Sequence, residues 1–120
     1  MKMKQEEYLF QKGMMYFKTK DYFQAHEEWE DLWSDYYLED RKFIQALIQL
    51  AVSFYHISNE NLKGAKSQLG KSRKKFLEFK EIHRNINVDN LVYQIDMVAK
   101  NYDEIQHAKN FDWGLVPTLN

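Results

Sequence analysis

Apolar residues recur along this chain at three- and four-residue intervals almost from end to end, the period of an amphipathic helix. Leu9, Phe10, Gly13, Met14 and Phe17 form one such stripe and predict a first helix from Gln5 to Lys18. Asp21 is placed to cap a second helix ending near Tyr36, its carboxylate accepting from the free amides of the first turn. Asp40 stands in the same relation to a third helix, Arg41 to Ser58, which is apolar almost all round from Phe43 to Ile57. A helix of that kind is central and covered on several sides. Asn59 and Asn61 predict a turn and the cap of a fourth helix, Leu62 to Lys80, with Leu62, Ala65, Leu69, Phe76 and Phe79 inward. Gly64 and Ala65 let that helix approach the third closely. Asn87 or Asp89 opens a fifth, whose stripe runs through Leu91, Val92, Ile95, Val98, Ala99, Tyr102 and Ile105. Residues 110–120 read as an extended tail, with Trp113 packing back onto the helices.

Short connections make consecutive helices antiparallel neighbours. The predicted fold class is therefore all-α, a single-domain bundle of about five antiparallel helices stacked as hairpins, over residues 1–120. No fixed-period repeat points to a solenoid.

Composition narrows the chemistry more than the fold. Only 4 Gly and 1 Pro interrupt the helical pattern, and 44% hydrophobic residues supply a core. The absence of Cys excludes disulfides, thiolate catalysis and Cys-ligated zinc. The charged start, Met1 to Glu7, is followed by no apolar signal core. The stretch from Phe43 to Ile57 is broken by Gln45, Gln49, Ser53 and His56, too short and too polar to span a bilayer. A cytoplasmic location and no membrane partner are the expectations. A net charge of −1 sets up no global field for nucleic acid. The fourth helix is nevertheless basic, with Lys63, Lys66, Lys71, Arg73, Lys74, Lys75 and Lys80. No aromatic interleaves that cluster, so a solvated face partly complementing the acidic second helix outweighs a nucleic-acid footprint.

The richest segment is Tyr22 to Trp33. On a helix His26 and Glu30 are neighbours one turn apart, as are Glu27 and Glu30, with Trp29 and Trp33 supplying apolar surface nearby. The third helix offers a matching polar line, Gln45, Gln49, Ser53 and His56, spaced to stack along one stripe. Buried amides and imidazoles need partners, so the two lines are expected to meet inside the molecule and satisfy each other. Three readings follow, in descending weight. The cluster is a structural network fixing helix register, a small-molecule pocket, or a metal site with His26, Glu30 and His56 as ligands and Glu27 as catalytic base. The metal ranks last because two His and two Glu are a minimal ligand set. His26-Glu27-Glu28-Trp29-Glu30 departs from the zincin motif at its fifth position. His83 and His107, in polar surroundings, read as solvated surface residues.

The blocks Tyr22-Phe23-x-Ala25-His26-Glu27-x-Trp29-Glu30-x-x-Trp33, Phe43-x-x-x-Leu47-Ile48-Gln49-x-Ala51, His56 and Asn61-Leu62-x-Gly64-Ala65 resemble the family known as domain of unknown function 309. The resemblance runs from about Phe10 to Ile95. It implies a compact all-α fold with no established activity, and His26, Glu27, Trp29, Glu30, Trp33, Gln49, His56 and Asn61 as the motif positions. Glu60 stands where the family usually has glycine before the asparagine, and Asn87 where it often has glycine before the next helix. The leading expectation is a non-catalytic module that binds a small molecule or protein partner at those residues. The alternative is the metal-dependent hydrolase, and a divalent metal is the one cofactor it would bring. Whether the chain is an enzyme stays open. Exposed aromatics such as Trp113 or Tyr37 offer a homodimer contact.

Overall fold

The computed structural model describes residues 4–119, so residues 1–3 of the charged start and residue 120 of the tail lie outside the described residues. Five helices appear in the expected order: α1 (Gln5–Lys18), α2 (Tyr22–Asp35), α3 (Arg41–Ser58), α4 (Leu62–Phe76) and α5 (Val88–Glu104). Each of α1 to α4 packs on the next, so α3 lies between α2 and α4. Phe43, Ile44, Ala46, Leu47, Leu50, Ala51 and Phe54 of α3 are fully enclosed, which is why its sequence leaves no polar face. Among the described residues no helix is long and apolar enough to cross a membrane.

Caps set the helix starts. Asp21 accepts from the Gln24 amide at 3.1 Å, Asn61 from Gly64 at 2.8 Å and Asn87 from Asn90 at 3.0 Å. Two buried serines clasp α3 to α4: Ser53 donates to the Ala65 carbonyl at 2.7 Å and Ser72 to the Ala46 carbonyl at 2.8 Å. The Tyr102 hydroxyl of α5 reaches Ser53 Oγ at 2.9 Å. Since the Ser53 proton goes to Ala65, Tyr102 is the donor there. Burial raises the Tyr102 phenol far above its usual range, and it stays protonated.

Three expectations are corrected. α4 ends at Phe76, four residues early, because Phe79 leaves the helix to pack its ring 5.0 Å from Phe43. A small antiparallel hairpin follows, β1 (Ile82–His83) and β2 (Ile86–Asn87), turning on Arg84 and Asn85 with φ of 50° and 63°. Both left-handed residues suit a two-residue type I′ turn. The tail is not simply extended. It forms short 3-10 turns at Ala108–Asn110 and Trp113–Leu115, and Trp113 stacks on Tyr22 with ring centroids 6.1 Å apart.

Candidate functional site

Capped at Asp21, α2 turns Ala25, Trp29 and Leu32 fully inward and leaves His26, Glu27, Glu30 and Trp33 half-buried on its flanks. Where it runs antiparallel to α3 the two helices share a surface seam. Phe23 meets Tyr55 near one end, ring centroids 5.3 Å apart. Towards the other end Glu30, Trp33, Gln45, Ile48 and Gln49 line a depression of about 140 Å³. Glu30 makes no ion pair there among the described residues. Gln49 Oε1 is buried and accepts no hydrogen bond. Arg41, one turn before Gln45, lays its guanidinium 4.0 Å from the Trp33 ring centroid and donates from Nη2 to the Trp33 carbonyl at 3.3 Å. Its Nε is the other buried side-chain polar atom without a partner among the described residues. Both unsatisfied atoms thus belong to the neighbourhood of Trp33. Each normally costs ~1–3 kcal/mol.

The two polar lines do not meet inside the molecule as a whole. His26 Nδ1 lies 3.0 Å from the carbonyl of Phe23 on its own helix, so Nδ1 carries the proton. His56 Nδ1 takes the opposite role, accepting from the Asn61 side-chain amide at 3.4 Å. The assignment is forced, because Asn61 Oδ1 already caps Gly64. Gly64 is needed here, since a Cβ would stand 2.5 Å from Asn61 Nδ2. Ser53 has left the line altogether and faces α4. Each four-residue step over-rotates a helix by about 40°, so Gln45 and Gln49 face the seam while Ser53 has turned past it. Among the described residues no three His, Asp or Glu side chains form a group able to hold a metal. His26, Glu30 and His56 do not converge, and the imidazole lone pair of His56 is already engaged by Asn61. Glu27 makes no side-chain hydrogen bond or ion pair among the described residues. Trp29 is core, donating from Nε1 to the Phe10 carbonyl at 3.2 Å.

A constellation that the sequence reading missed joins the hairpin to the start of α3. Asp40 does not cap α3 through its side chain. Its carboxylate accepts from Arg84 at 2.5 and 3.0 Å and from His83 Nε2 at 2.8 Å. Burial alone pushes the Asp40 carboxyl up, but the hydrogen bonds and charges of Arg84 and His83 outweigh it and hold it below its usual range. His83 is half-buried rather than solvated, its ring 4.4 Å from Phe43 and 4.8 Å from Phe79. Arg84 covers the Phe10 ring of α1. Held by His83 and Arg84, the Asp40 carboxylate clamps the hairpin to the start of α3. Contact across more than forty residues leaves no local spacing to read.

Roomier depressions, about 230 and 400 Å³, flank Tyr22 and Trp113 at the α1–α2 turn. Neither is lined by a predicted site residue. Burial pushes the Tyr22 phenol up to about 12, so it stays protonated near neutrality.

Residues 10–68 match the family model described as "Domain of unknown function (DUF309)". This segment of the chain is similar to that family. It runs from within α1 through α2 and α3 to the first half of α4, and so contains the seam and the His56–Asn61–Gly64 cap. The hairpin, α5 and the tail fall outside the match, which stops short of Ile95. The "Uncharacterized protein YpuF" of Bacillus subtilis (strain 168) is 40% identical over 55 residues, covering 45% of this chain and 32% of that protein. The chain thus spans about a third of the length of the curated relative it matches. No solved structure matches it.

Proposed function

We propose that the DUF309 segment is a helical binding module whose recognition site is the α2–α3 depression of Glu30, Trp33, Gln45, Ile48 and Gln49. One observation carries this reading: among the described residues Gln49 Oε1 is a buried acceptor without a donor, beside a Glu30 carboxylate without a counter-ion. Two unsatisfied acceptors suit a cationic donor, an ammonium or guanidinium, beside the Trp33 ring on which Arg41 already stacks. Size favours a partner's side chain over a free small molecule. About 140 Å³ falls below the roughly 300–1,000 Å³ of small-ligand pockets. The metal-hydrolase reading gains no support from the positions of His26, Glu30 and His56.

Titration of ¹⁵N-labelled protein with N-acetyl-arginine amide tests this. Millimolar probe should shift the Trp33 indole and Gln49 side-chain amide signals, N-acetyl-glutamine amide should not, and Glu30→Gln should abolish the response. An unmoved wild-type spectrum, or an equal response from Glu30→Gln, refutes the proposal.

A further inference from the structure

Charge is segregated along this chain in a way that its net value hides. α2 carries Glu27, Glu28, Glu30, Asp31 and Asp35 and no Lys or Arg, while α4 carries Lys63, Lys66, Lys71, Arg73, Lys74 and Lys75 and no acidic residue. The two do not neutralise each other, because α3 lies between them and no ion pair among the described residues joins them. Instead α5 supplies two counter-ions: Asp103 lies 3.6 Å from Lys66, and Asp96 takes Arg73 at 2.5 and 3.2 Å. Lys63, Lys71, Lys74 and Lys75 make no ion pair among the described residues.

Helix electrostatics does not explain this arrangement. Lys74 and Lys75 suit the negative C-terminal end of α4, but Lys63 lies in its first turn, where a cation is disfavoured. Lys71 and Lys75 are like charges one turn apart, which destabilises a helix. The Lys75 ammonium is held below its ordinary range, first by burial and then by the charges of Lys42, Lys71 and Lys74. The exposed positions of α4 are Lys63, Lys66, Ser67, Gly70, Lys71 and Lys74. A Cβ at Gly70 would meet nothing within 4 Å, so no internal packing requires a glycine there. Its absence of side chain leaves the helix surface open among the lysines.

We propose that the outer face of α4 is a sequence-independent contact for the phosphate backbone of duplex nucleic acid, carried by the exposed Lys63, Lys71 and Lys74 with the half-buried Lys75 at its edge. The face offers no aromatic on which unpaired bases could stack, which favours a duplex over a single strand. Its exposed apolar surface is limited to Leu77 at the C-terminal end of the helix, little for the apolar core of a protein interface. The site is separate from the α2–α3 depression and does not depend on it.

Fluorescence anisotropy of a labelled mixed-sequence duplex, read across salt concentrations, tests the proposal. Each phosphate contact contributes about −0.9 to the slope of log affinity against log salt, so Lys71→Gln/Lys74→Gln/Lys75→Gln should make it shallower by roughly 2.7. A fourfold rise in salt then weakens the wild type by roughly fortyfold more than the variant. Lys66→Gln/Arg73→Gln, which removes charges already paired, should change the slope by less than about 1. Lys74→Glu, at an exposed position, keeps the test sound should the triple variant misfold; it should weaken binding with unchanged circular dichroism. The proposal fails if the wild type shows no salt-dependent binding, if the triple variant keeps the wild-type slope, if Lys74→Glu binds like the wild type, or if the paired-charge variant loses as much. Competition by polyglutamate as effective as that by unlabelled duplex would also overturn it.

Discussion

Replacing Gly13 with alanine reverses the usual effect of that substitution in a helix. Within α1 the exchange ordinarily gains ~1 kcal/mol of backbone preference. Here the new methyl would lie 2.5 Å from Cδ1 and Cε2 of Trp29, and closer still to its Nε1. Trp29 has no exposed surface and packs against Phe17, so the indole cannot swing into solvent. Overpacking of this kind costs ~1–3 kcal/mol. Displacing the ring also breaks the bond from Trp29 Nε1 to the Phe10 carbonyl, leaving two buried groups unpaired at a further ~1–3 kcal/mol. The expected net is a destabilisation of about 1–5 kcal/mol, a fall in Tm of at least roughly 4 °C for a chain this long. Gly70→Ala is the control. With open space around it, it should gain about 1 kcal/mol. Urea unfolding of both variants, followed by far-ultraviolet circular dichroism, measures the difference. A neutral or stabilising Gly13→Ala would refute the close approach of α1 to Trp29, on which the orientation of α2 depends.

Acid should loosen the clamp at the start of α3. The folded pKa of Asp40 lies below its unfolded value, near 3.9, so its contribution is fully present above that value. It is lost as pH falls through the folded pKa. Asp40→Asn should cost about 1–3 kcal/mol at neutral pH and flatten the acid limb of a stability–pH profile, whereas an unchanged acid limb would argue against the clamp. Glu60 sits at φ 58° in the turn after α3, a left-handed conformation that glycine adopts without strain. Glu60→Gly should therefore raise stability by about 0.5–1 kcal/mol in chemical denaturation, the left-handed penalty less the entropy that glycine loses; a loss of stability would contradict it.

Helix starts were legible wherever a capping side chain coincides with the onset of an apolar stripe, as at Asp21, Asn61 and Asn87. The third helix could be placed at the centre because its sequence is apolar almost all round. The end of α4 was not legible, since Phe79 continues the helical stripe yet packs from a loop. Nor was the hairpin, whose left-handed pair Arg84 and Asn85 contains no glycine to announce it. Asp40 resembles Asp21 in local sequence, but its partners arrive from the hairpin and outcompete the cap. At the site, Glu30, Trp33 and Gln49 line one depression, as residues one turn apart on two adjacent helices can. Spacing failed for His26 and His56, each of which finds a nearer partner, and for Ser53, which helical drift carries round to α4. Arg41 was readable as one more step of the Gln45–Gln49 spacing and was overlooked.

The Gln49→Met variant puts the seam to the most direct test, because stability and recognition should move in opposite directions. Methionine matches the volume and removes an acceptor that nothing satisfies, so unfolding free energy should rise, by up to about 1–3 kcal/mol, while the response to N-acetyl-arginine amide disappears. A variant that is less stable and still responds to the probe would mean that Gln49 serves the fold, and that recognition, if any, lies elsewhere on the molecule.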